Sequence, residues 1–150
     1  MVRHAIETIM DKWDIRFLAL AQHIAAWSKD PSTKCGAVIV DEQRRVVGLG
    51  YNGFPRGMPD KGYKDRDHKL KFVVHAEANA ILNAVAKVQG CTLYVWPIPA
   101  CNECAKLIVQ AGIERVVSPS PTQAQRTRWA GSFAAASIIF NECGIKEDKP

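Results

Sequence analysis

No stretch of this 150-residue sequence is long and apolar enough to suggest a membrane span. The longest apolar run, Ser132 to Phe140, falls far short of the roughly 20 residues a spanning helix needs. Internal repeats and low-complexity tracts are also missing. The opening residues Met1-Val2-Arg3-His4-Ala5 are soon followed by acidic and polar ones, so a secretory leader is not expected. A cytoplasmic protein is the expectation. Cysteine is scarce and odd in number, at Cys35, Cys91, Cys101, Cys104 and Cys143. Such a set argues against a disulfide framework and for free thiols or metal ligands.

What remains is an ordinary globular composition, 47% hydrophobic and 23% charged, which at this length suits one domain with its own core. The net charge of +5 is compatible with a phosphate-bearing ligand. It does not separate a mononucleotide from a nucleic acid.

Helical and strand periods alternate along the chain. Trp13, Phe17, Leu20, Ile24 and Trp27 recur at three- and four-residue steps, predicting an amphipathic first helix with both tryptophans on its buried stripe. Asp30-Pro31 ends it. Cys35 to Val40 and Val46 to Gly50 predict a hairpin about the polar turn Asp41-Glu42-Gln43-Arg44. The polar segment from Tyr51 to Lys71 predicts a long loop, either functional or a solvated excursion. Helical period returns over His75 to Val88, closed by Gly90. Thr92 to Trp96 predicts a strand, Cys101 to Gln110 a helix, and Ile113 to Val117 a strand. A last helix over Arg128 to Asn141 and a tail strand near Ile145 complete the order. That order predicts an α/β fold, a three-layer α/β/α sandwich around a five-stranded mixed sheet.

Two of the helix starts carry soft metal ligands, His75-Ala76-Glu77 and Cys101-Asn102-Glu103-Cys104. Each alone is modest. Together they propose a site. Cys101 and Cys104, three apart at a helix N-terminus, project from one face and gain thiolate character from the dipole. His75 supplies a third ligand, and Glu77 stands beside the metal without binding it. Three protein ligands on zinc leave a fourth position for water, whose pKa falls from 15.7 to roughly 7. A neighbouring carboxylate then moves the proton. The competing reading is a closed structural site completed by Cys91, Cys35, His68 or Cys143.

His-x-Glu followed by Pro-Cys-x-x-Cys is the known signature of zinc deaminases. The sequence departs from it at one place: Ala100 precedes Cys101, and the proline sits one residue earlier, at Pro99. Proline there stiffens the first turn and is not a ligand, so metal binding is unaffected. Further stretches resemble the deoxycytidylate (dCMP) deaminase family, within the cytidine/deoxycytidylate deaminases. They are Gly50-Tyr51-Asn52-Gly53-Phe54-Pro55-Arg56-Gly57, Val74 to Leu82, Cys101 to Ile108 with Gln110 to Ile113, and Asp30-Pro31-Ser32-Thr33-Lys34. Transfer-RNA adenosine deaminases share the zinc motifs but have a much shorter link from the asparagine to the histidine.

The resemblance implies zinc-dependent hydrolysis of dCMP to dUMP and ammonia, supplying dUMP for thymidylate synthesis. It places the sugar at Asn52, the pyrimidine carbonyl at the Ala76 N–H and the exocyclic amine at the carbonyl near Pro99. Ser32, Thr33 and Lys34 are the first candidates for the phosphate, with Arg126 and Arg128 behind. The resemblance also implies a homo-oligomer, a hexamer, activated by dCTP and inhibited by dTTP with Mg2+; the long loop, with Gly53 and Arg56, is the candidate regulatory site. Two rival readings remain. A nucleic-acid deaminase needs a basic and aromatic strand channel, for which only Trp129 is free as a platform. A zinc-stabilised binding module has no use for Glu77.

Overall fold

The computed structural model describes residues 11–60, 63 and 65–149. The opening five residues, on which a leader was judged absent, lie outside them, as do positions 61, 62 and 64 of the expected loop. Among the described residues, five helices and five strands follow in the order α1 (Lys12–Ala25), β1 (Gly36–Val40), β2 (Val46–Tyr51), α2 (Arg66–Phe72), α3 (Ala76–Leu82), β3 (Thr92–Trp96), α4 (Asn102–Gln110), β4 (Arg115–Val117), α5 (Gln123–Glu142) and β5 (Lys146–Asp148).

The strands form one sheet in the order β2-β1-β3-β4-β5. β1 runs antiparallel to both β2 and β3, while β3, β4 and β5 are parallel. Alternation along the strands divides the core. Ala37, Ile39, Leu93 and Val95 face α3, α4 and α5, and Val38, Val40 and Tyr94 face α1. This is the three-layer α/β/α arrangement read from the sequence. Among the described residues no helix is long and apolar enough to cross a membrane.

Glycine brings α3 close to the sheet. A Cβ on Gly48 would lie 2.6 Å from the Ala80 carbonyl oxygen, and one on Gly50 would press on the Ala80 nitrogen and lie 2.8 Å from the Ala76 oxygen. The alternate glycines of β2 therefore let the start of α3, with His75 and Glu77, settle against the strand.

Several expectations are corrected. The long loop contains α2, capped by Asp65, whose carboxylate accepts from the N–H groups of Asp67 and His68. Seven mostly charged residues with none buried present no apolar period to read. α3 stops at Leu82 instead of Val88, and Leu82 and Val85 are exposed. α5 begins at Gln123, five residues early, because Thr122 and Gln125 form a capping box. Its backbone leaves helical angles at Trp129 (φ −116°, ψ 17°), beside the expected start. Trp27 lies beyond α1 and is 54% exposed, so it is not on the buried stripe.

Candidate active site

His75 is the N-cap of α3 and Cys101 the N-cap of α4. α4 starts shortly after β3 and α3 directly after the Gly53–Val74 bridge, and the fold brings the two starts together. His75 Nδ1 lies 3.3 Å from Cys104 Sγ and 3.4 Å from Cys101 Sγ, and the three ligand atoms fall within 4.8 Å of one another. Zn–S bonds of about 2.3 Å and a Zn–N bond of about 2.0–2.1 Å at a tetrahedral centre require N···S spacings of roughly 3.6 Å. The donor set fits zinc. Among the described residues no fourth His, Cys, Asp or Glu joins it. Cys91 Sγ turns to the Lys87 carbonyl, Cys143 is exposed, and His68 packs on Phe54 and Phe72.

The thiols divide one role. A hydrogen bond from Cys104, opposed by burial and aided by His75 and the Cys104 N–H, pulls Cys101 down to about 4. Cys104, as donor, is pushed up. The bond to Cys101 also raises His75. The start of α4 adds its own positive end, which favours thiolate there. Ser132 pins this start, donating to Asn102 Oδ1 at 2.9 Å and accepting from the Asn102 N–H at 3.1 Å.

Glu77 sits in the first turn of α3, 6% exposed, and burial pushes its carboxyl up. A carboxylic acid that binds its proton more tightly than usual suits proton transfer near neutral pH. It lines a cleft of about 130 Å³, against the ~10–15 Å³ that one water needs, so a small ring has room.

Of the other residues singled out in the sequence, Ser32, Thr33, Asn52, Ala76, Pro99 and Arg128 line this cleft. Asn52 is already engaged: its Oδ1 accepts from the Cys35 N–H at 2.8 Å, and its amide donates to the Thr33 carbonyl at 2.9 Å. Ala76 opens α3, where N–H groups have no intrahelical acceptor. Lys34 is exposed and outside the lining, as is Arg126, which donates to the Pro121 carbonyl. Gly53 and Arg56 are also outside it. Gly53 pairs with Val74, and Arg56 donates to Asn83 Oδ1 at 3.0 Å.

Sequence reasoning passed over Asp30, Arg66 and Lys69, which also line the cleft. Two of them ride on the unexpected helix α2, and a buried aspartate is invisible in an Asp-Pro turn. Cys35 lines it too, as a thiol pushed up to about 12 by burial and by the nearby Glu77 carboxylate.

Soft ligands clustered so that they could hold one ion, with the buried acid Glu77 lining the same cleft, match the working parts of a hydrolytic deaminase. The family model for the cytidine and deoxycytidylate deaminase zinc-binding region matches residues 11–119, and the chain belongs to that family. Human deoxycytidylate deaminase is 41% identical over 142 residues, spanning 89% of this chain and 77% of its own. A probable deoxycytidylate deaminase of Drosophila melanogaster is 45% identical over 147 residues, spanning 89% and 70%. The fold is shared with the dCMP deaminase of cyanophage S-TIM5, solved with dCMP and dUMP. The TM-score is 0.72 at 21% identity, over 95% of this chain and 99% of that one.

Proposed function

We propose that this chain converts dCMP to dUMP and ammonia. The observation that carries the reading is the buried Glu77 carboxyl beside the His75–Cys101–Cys104 cluster, at the floor of a cleft with cationic walls. The deoxycytidylate deaminases among the relatives support the choice of substrate.

His75, Cys101 and Cys104 would hold zinc, which when bound makes water a strong nucleophile at neutral pH. Glu77 takes a proton from the attacking water and delivers it to ring N3. The oxygen of that water adds to C4 of the base, and Glu77 then carries the second proton to the departing amine. Ammonia leaves and the uracil nucleotide remains. Around this exchange the Ala76 N–H meets the pyrimidine carbonyl and the Pro99 carbonyl accepts from the exocyclic amine. Asn52 positions the sugar, through the lone pair its bond to Cys35 leaves free. The phosphate lies toward Ser32, Thr33 and Arg128.

Regulation by dCTP and dTTP with Mg2+, in a hexamer, belongs to the same reading. Its structural support is the pairing of Gly53 with Val74, the residue next to His75, which ties the loop to the cluster.

The test is to incubate the protein with deoxycytidine, dCMP, dCTP and a cytosine-bearing oligonucleotide, and to measure ammonia. Preferential release from dCMP is expected. Release from the oligonucleotide alone would overturn the substrate class.

A further inference from the structure

Asp30 is buried, 3% exposed, at the corner where the chain leaves α1. Its carboxylate gathers groups from three parts of the cleft wall. Oδ1 accepts from the Ser32 N–H at 2.8 Å and the Thr33 N–H at 3.2 Å. The same oxygen lies 3.3 Å from Lys69 Nζ, on α2, and Oδ2 lies 3.5 Å from the amide of Asn52.

The Lys69 side chain is itself only 12% exposed. An ammonium has three donors, and among the described residues Asp30 is the one partner it meets. Lys69 lines the cleft, where its remaining N–H groups can donate to an anion. Arg66 and Arg128 bring two more cations to the same walls.

We infer that Asp30 is a positioning residue for the phosphate of the substrate: it fixes the Ser32–Thr33 backbone and holds Lys69 where its remaining N–H groups meet the anion. Lys69 makes the contact and Asp30 acts through it. The inference rests on the reading of the substrate as a nucleoside monophosphate. A phosphate oxygen approaching Lys69 completes its donors without displacing Asp30, since each uses a different hydrogen. Asp30 also offsets part of the positive charge when no anion is bound.

Asp30→Asn is the variant of choice. An asparagine oxygen still accepts from the Ser32 N–H, so the turn survives while the charge goes. The expected result is a KM for dCMP raised about 10-fold or more, with kcat within about threefold and zinc content unchanged. Lys69→Met raises KM similarly, and weakens inhibition by inorganic phosphate. The double variant is no worse than the poorer single one, because both remove the same device. Lys69→Arg keeps most of the affinity. An Asp30→Asn enzyme with unchanged KM, or with kcat lowered alone, overturns the inference, as does full additivity of the two changes. A wild-type protein that releases no ammonia from dCMP fails earlier, and then the functional reading itself falls and takes this inference with it.

Discussion

Asp14 and Glu77 are equally buried acids, 3% and 6% exposed, on opposite faces of one sheet, and their surroundings push them in opposite directions. Burial raises Asp14, but its partners outweigh that and leave its carboxyl below the usual range. Arg115 grips both oxygens at 2.8 Å, and the Tyr94 hydroxyl donates to Oδ1 at 2.7 Å. The same Arg115 reaches Asp148 at 2.7 Å, so one cation joins α1, β4 and β5. Glu77 pairs with no arginine or lysine among the described residues, and the neighbouring His75 draws its carboxyl down only in part. Burial dominates, and its carboxyl is pushed up. A fully partnered acid holds a fold together, whereas a poorly partnered one is left able to trade protons.

Substitutions should separate these two roles. Cys104→Ala removes a proposed ligand and a buried side chain at once, so zinc, activity and thermal stability should all be lost together. Zinc analysis beside a melting curve checks it; a variant retaining stoichiometric zinc would show that the cluster does not depend on this thiol. Glu77→Gln should affect chemistry alone. Turnover is expected to fall by about 10²–10⁴, the contribution typical of a general acid–base group. Zinc content and the melting temperature should hold. Wild-type turnover in that variant would move proton transfer to another residue.

Much of this contrast was legible in the sequence on one side and hidden on the other. The convergence of His75, Cys101 and Cys104 could be read because metal chemistry demands particular residue types at short spacings, and helix starts are marked by their neighbours. The β-rich runs about the polar turn Asp41–Arg44, and the alternation of helices with strands after them, announced the sheet. The Asp14–Tyr94–Arg115 network could not be read, since its members lie 80 and 101 positions from Asp14 and no local period links them. Helix α2 was missed for a related reason: it buries nothing, so only its cap at Asp65 marks it. With α2 unseen, Lys69 and Arg66 could not be placed at the cleft, whereas Lys34 and Arg126, which drew attention in the sequence, lie outside its lining.

The effect expected of the far face is smaller than either of those, and it concerns stability alone. Asp14→Asn leaves the Arg115 guanidinium without its main counter-charge. Removing one partner of a buried pair costs about 3–5 kcal/mol. Arg115 is 24% exposed and keeps Asp148, which favours the lower figure. Roughly 3 kcal/mol corresponds to a melting temperature lower by about 6–12 °C at this chain length. The kcat of the folded fraction should not change.

The pH dependence sharpens the comparison furthest, with the smallest effect. A carboxyl whose native pKa is depressed contributes stability above its unfolded value, about 3.9, and loses it as pH falls through the native one. The gap in stability between wild type and Asp14→Asn should therefore be full at pH 6–7. It should narrow in the acid range as the wild-type carboxyl takes up its proton. Denaturant melts at several pH values would reveal this. A gap that stays constant down to pH 3 would mean that Asp14 contributes through hydrogen bonds and packing, with its charge carrying none of the difference.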